Sequence, residues 1–119
     1  MFNINDLYPG FKYPEAYYKI IELNLTNFDY WYFIPDEDLE IRAIGMQERY
    51  PNRKLIPFAR RGDNDDVACF EIGKGETVQI IHDFASSGYE QREEYANIWL
   101  WLKEALNVLI ENEFYENRN

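Results

Sequence analysis

Asp63, Asp65 and Asp66, three aspartates within four residues, are the densest set of potential ligand or proton-transfer groups in this chain, and its single histidine, His82, precedes Asp83. Hard cations take several carboxylate oxygens, so these aspartates with Glu71 or His82 could build the centre of a metal-dependent hydrolase. A calcium loop opening at Asp63 is not present: Ala68 stands where its glycine belongs and Lys74 where its twelfth-position glutamate belongs. Turn-forming Asp and Asn side chains that bond nearby backbone N–H groups account for the cluster without a cation. No metal and no cofactor is expected.

A His82–Asp83 contact could orient a general base, but no nucleophile stands beside it. Ser86 and Ser87 are placed for helix capping, and Cys69 sits mid-strand as a small apolar residue. Gly73-Lys74-Gly75 lacks the length and spacing of a phosphate loop. The chain therefore reads as a binding protein and not an enzyme.

The aspartates lie in LIPFARRGDNDDVACFEI, residues 55–72, where an acidic turn separates two apolar runs. Gly62, Asp63 and Asn64 tolerate the backbone of a tight reversal, so this is a hairpin. Arg60 and Arg61 beside the aspartates suggest bidentate pairs that stiffen it. The candidate binding residues are Arg60, Arg61, Asp63, Asp65, Asp66, His82 and Asp83, a preorganised patch for a basic partner.

The rest of the chain must position that patch. At 119 residues, 46% of them apolar, it is long and greasy enough for one domain with one core. Pro14 opens a helix over about 14–24, with Ala16, Tyr17, Ile20, Ile21 and Leu23 at helical spacing. Residues 1–13 read as an irregular lead-in. Tyr30-Trp31-Tyr32-Phe33-Ile34 is an aromatic strand stopped by Pro35, with alternate rings turned inward. Asp36 is placed as the N-cap of a second helix that carries Leu39, Ala43, Met46 and Tyr50 on one face. Gly45 inside it costs about 1 kcal/mol relative to Ala, and Pro51 ends it.

Strands follow over 54–60, 66–72 and 76–82, joined by short turns as an antiparallel meander. Pro57 makes the first of them an edge or a bulged strand. Ser87 and Glu90 have capping-box spacing, which opens a long final helix with Glu93 and Glu94 in its first turns. Tyr95, Ile98, Trp99, Leu102, Ala105, Leu106 and Leu109 form its apolar stripe, with Trp101 and Val108 outside it. Residues 111–119 read as a frayed tail. The fold class is α+β: a central antiparallel sheet flanked by helices, the last of them packed on the sheet.

Charge narrows the partner. With 22 acidic and 12 basic side chains the net charge is −10, which repels nucleic acid and anionic membrane and steers basic proteins inward. No apolar run approaches the roughly 20 residues of a membrane span, and the N-terminus lacks the basic start and apolar stretch of a secretion signal. One cysteine cannot form an internal disulfide, so a cytoplasmic location is expected. Asn24-Leu25-Thr26 and Arg61-Gly62-Asp63 are then chance matches to glycosylation and adhesion motifs.

LIPFARRGDNDDVACF (55–70), VQIIHDFASSGYEQREEY (78–95) and the helix bearing Trp99 and Trp101 together resemble the SUKH superfamily, which includes bacterial immunity proteins and fungal cell-wall-assembly, or glucan-synthesis, regulators. The resemblance spans residues 28–110 and leaves out the first 13. It implies an α+β domain with an antiparallel sheet, and treats Pro57, Phe58, Asp63, Asp65, Asp66, His82, Gly88 and Trp99 as positions that mark the fold. It also implies neutralisation of a toxin, often a nuclease, by direct binding, or a regulatory scaffold role as in the fungal members. The expected partner is a basic toxin domain.

Overall fold

The computed structural model describes residues 2–116. In chain order the elements are α1 (Ile4–Leu7), α2 (Glu15–Glu22), β1 (Trp31–Phe33), α3 (Asp36–Arg49), β2 (Leu55–Arg61), β3 (Asp66–Glu71), β4 (Val78–His82), β5 (Gln91–Tyr95) and α4 (Ile98–Glu116). The strands form one antiparallel sheet in the order β1-β2-β3-β4-β5, an uninterrupted meander. This is the expected α+β architecture.

Both faces of the sheet are covered, because its central strands are apolar in both directions. Ile56, Phe58, Ala68, Phe70, Val78 and Ile80 point to one face, where they pack with Trp31, Ile20 of α2 and Trp101 of α4. Leu55, Val67, Cys69 and Ile81 point to the other, under Met46 and Tyr50 at the end of α3. Rings fill the first layer: Phe58 stacks on Phe70 at 4.7 Å, and Trp101 meets Phe58 and Trp31 edge to face at 5.1 and 5.5 Å. In β1, Trp31 is buried in this layer and Phe33 packs against it.

Pro57 sits in an interior strand and not at an edge. The pairing of β2 with β3 shifts between Pro57 and Ala59, a bulge that accommodates a residue with no N–H. The freed Phe58 carbonyl accepts from Ile34 N at 2.9 Å, tying the exit of β1 to β2. At the end of α2, Leu25 N bonds Ile20 O and Asn24 N bonds Ile21 O, with Asn24 at φ 58°: a Schellman close in which Asn takes the left-handed position.

Four expectations are corrected. The lead-in is ordered: Asn3 Oδ1 accepts from Asn5 N to cap the single turn α1, and Ile4 and Tyr8 are buried in the first core layer. Pro35, not Asp36, holds the N-cap position of α3, leaving Asp36, Glu37 and Asp38 in its first turn. Residues 91–95 are strand, not helix. They pair with β4 as a polar edge, and charged side chains suit an edge that must not recruit further strands. The last helix therefore starts at Ile98, where Asn97 Oδ1 accepts from Leu100 N at 3.0 Å. It continues to Glu116, so only 117–119 of the expected frayed tail lie outside the described residues.

The buried stripe of α4 runs through Ile98, Trp101, Leu102 and Ala105, so the two tryptophans exchange the expected places. Trp101 is 1% exposed, whereas Trp99 is 45% exposed. Trp101→Ala is expected to cost about 3–5 kcal/mol and Trp99→Ala no more than about 0.5 kcal/mol, measured by urea unfolding. Equal losses at the two positions would contradict this packing.

Candidate functional site

The seven candidate residues do not form one patch. Successive residues of a strand point to opposite faces, so Arg60 and Arg61 diverge, as do His82 and Asp83. Arg61 lies on the α4 side, where its Nε and Nη2 each donate to Asp63 at 2.9 Å, and this pairing raises the pKa of Arg61. Asn64 Oδ1 accepts from Asp66 N at 2.8 Å, closing the turn. Asp66 Oδ1 meets His82 Nδ1 at 3.0 Å and Arg92 Nε at 3.3 Å. Asp65 is exposed and contributes its carbonyl, which accepts from Asp83 N at 2.9 Å. The hairpin is thus a mixed-charge turn in which Arg61 occupies Asp63, and His82 and Arg92 occupy Asp66. Among the described residues no three His, Cys, Asp or Glu side chains converge as metal ligands would.

Asp83 belongs to a different site, on the α3 side. Its carboxylate is fully buried and bridges two arginines two turns apart on one face of α3: Arg42 Nη1 at 2.7 Å, and Arg49 through Nε at 2.7 Å and Nη2 at 2.8 Å. The backbone N–H of Phe84 donates to the same carboxylate at 2.9 Å. Burial alone would raise the pKa of Asp83, but Arg49, Arg42 and the Phe84 N–H outweigh it and hold the group below its ordinary 3.8.

Gly45 is now explained. A Cβ there would stand 2.8 Å from Arg49 Nη1, so the missing side chain is what lets Arg49 fold back along α3 to reach Asp83. Tyr50 adds a further tie, its hydroxyl donating to Ala85 O at 2.8 Å.

Above this network Phe84 projects outward. It adopts φ 68°, rare for a bulky side chain, is 63% exposed, and lies 4.1 Å from the Arg49 guanidinium carbon. It forms one lip of a groove of about 710 Å³ that runs beside α3 and ends at Tyr32 and Arg60 of the sheet. Ile41, 76% exposed, and Ile44 form the helical wall, with Asp38, Glu40 and Glu48 along its rim. Arg60 spends its charge locally, over the Tyr32 ring and on the Arg61 carbonyl. Of the sequence candidates, only Arg60 lines this groove and only Asp83 supports it. Ile41, Ile44 and Phe84 had one legible signal, apolar residues outside the stripe of Leu39, Ala43, Met46 and Tyr50.

A second clamp fixes the other end of the β4–β5 connection. Arg53 donates to Glu71 at 2.8 and 3.0 Å and to Glu90 at 3.0 Å, while Glu90 also accepts from Gly88 N at 2.6 Å. Glu90 is thus an ion-pair partner and not half of a capping box. Burial opposes ionisation of Glu71 and Glu90, yet Arg53 with Lys74 keeps Glu71, and Arg53 with the Glu90 and Gly88 N–H groups keeps Glu90, below the ordinary 4.5.

Fold and site define an α+β domain with a grooved helical face. Compared with known proteins, the chain matches no family model, no curated protein and no solved structure at a significant level.

Asp83→Ala would strand two partly buried guanidinium groups and is expected to cost about 3–5 kcal/mol. A carboxylate with a depressed folded-state pKa contributes stability that is complete above its unfolded value and is lost as pH falls through the folded one. Stability should therefore be level above about pH 5 and decline below it, as Asp83, Glu71 and Glu90 protonate. The decline should be shallower in Asp83→Ala. Urea unfolding of both proteins between pH 3 and 7 checks this, and parallel pH profiles would remove Asp83 from the account.

Proposed function

We propose that this chain is a non-enzymatic protein-binding domain that neutralises a basic toxin domain by covering its surface, the role implied by the resemblance to SUKH immunity proteins. The observation that carries this reading is Phe84. A bulky residue at positive φ costs on the order of 1–3 kcal/mol, and 63% of this ring is in solvent, where packing returns little of that cost. The Asp83 clamp makes the conformation tenable. Rigid aromatic side chains beside a groove are the usual anchors of protein interfaces.

The net charge of −10 supports the same reading. Such a field raises the association rate of a basic partner and disfavours self-association and nucleic acid. The hairpin contributes to this field, although its aspartates are largely paired internally.

A panel of purified basic nuclease toxin domains tests the proposal. At least one should bind at low ionic strength, with an association rate that falls about tenfold or more as salt rises to 0.5 M while dissociation changes little. Surface plasmon resonance resolves the two rates. No binding anywhere in the panel at low salt would overturn it.

A further inference from the structure

We infer that the α3 groove receives a short basic amphipathic helix of the partner. This rests on the reading that the partner is a basic protein. The helical wall has its own pattern: Asp38, Ile41, Ile44, Gly45 and Glu48 recur at spacings of three and four residues, so they form one stripe. Over those ten steps the stripe is about 15 Å long, with an apolar middle and a carboxylate at each end. A helix lying alongside presents the same periodicity, and the complementary order is a cation, two apolar residues and a second cation over three turns.

The carboxylates of the helical wall set its sign. Arg42 and Arg49 share the one carboxylate of Asp83, and Arg60 lies over the Tyr32 ring at the sheet end. Among the described residues, Asp38, Glu40 and Glu48 have no ion-pair partner. The helical wall therefore offers an occupant apolar contact flanked by carboxylates that no internal cation has claimed. A second copy of the chain, at −10, is the occupant this charge disfavours most.

The test uses the full chain, isotopically labelled, titrated with a designed helical peptide. The peptide carries Lys at its first and eleventh positions and Leu at its fourth and eighth. One control replaces both Lys with Glu, and another places Pro at the sixth position. The Lys peptide should shift the backbone signals of residues 38–48, 60 and 84, and the Glu and Pro peptides should bind at least tenfold more weakly. Ile41→Asp, at a position 76% exposed, should keep the circular dichroism of the parent and lose tenfold or more in affinity. Asp38→Lys with Glu48→Lys should reverse the preference toward the Glu peptide.

Shifts confined to another surface, equal binding of all three peptides, or concentration-dependent broadening at the groove without peptide would each overturn the inference. The two proposals fail separately. A toxin domain that binds parent and Ile41→Asp equally sinks the groove and leaves the broader reading standing. A groove that takes the Lys peptide while no basic toxin domain binds does the reverse.

Discussion

The architecture of the candidate site depends on one buried charge. Asp83 leaves the end of β4 toward α3 and is held by two arginines of that helix, so the sheet and the helix are locked at a defined spacing and rotation. Apolar packing alone would let α3 slide over Val67, Cys69 and Ile81, because burial is non-directional. A carboxylate with two guanidinium partners has much narrower geometric tolerance. The cost of desolvating three charges is met only while all three meet, so partial displacement of α3 is heavily penalised. Gly45 follows from this demand: helix propensity is given up at one position so that Arg49 can lie flat against its own helix.

The surface follows from what the interior consumes. Among the described residues, Arg42, Arg49, Arg53, Arg60, Arg61, Lys74 and Arg92, seven of the twelve basic side chains, are engaged with carboxylates, a ring or a carbonyl of the sheet and its connections. The first turn of α3 carries Asp36, Glu37 and Asp38, where the helix dipole favours them.

Much of the fold was legible in the chain because its signals are local. Gly62, Asp63 and Asn64 define the hairpin turn, the aromatic run gives β1, and the spacing of Leu39, Ala43, Met46 and Tyr50 gives the buried face of α3. What failed has a common cause. Gln91-Arg92-Glu93-Glu94 is polar on both sides, so an edge strand there shows no alternation, and its glutamates read as the start of a helix. In α4 the apolar residues surround more than half of the helix, so spacing alone does not choose between Trp99 and Trp101 for the buried side. At the site, Asp83 was grouped with His82 because they are neighbours, although strand parity sends neighbours to opposite faces. The Arg42–Asp83 and Arg53–Glu90 pairs are 41 and 37 residues apart, and separations of that kind leave no pattern in a single sequence.

The two clamps together give the β4–β5 connection its character. Asp83 fixes its start against α3, and Glu90 fixes its end through Arg53, which also holds Glu71 at the end of β3. Between these anchors the chain shows Phe84, 63% exposed, and Tyr89, 82% exposed. Internal bonds, Ala85 N to His82 O and Tyr89 N to Ser86 O, shape the turn between them. A loop that is ordered before it meets a partner avoids most of the conformational entropy that binding would otherwise cost. The loop is fixed at both ends and carries two exposed rings, of which Phe84 lines the α3 groove. On the proposed reading, the buried ion pairs serve binding as well as stability, since weakening either clamp loosens the segment that carries the rings.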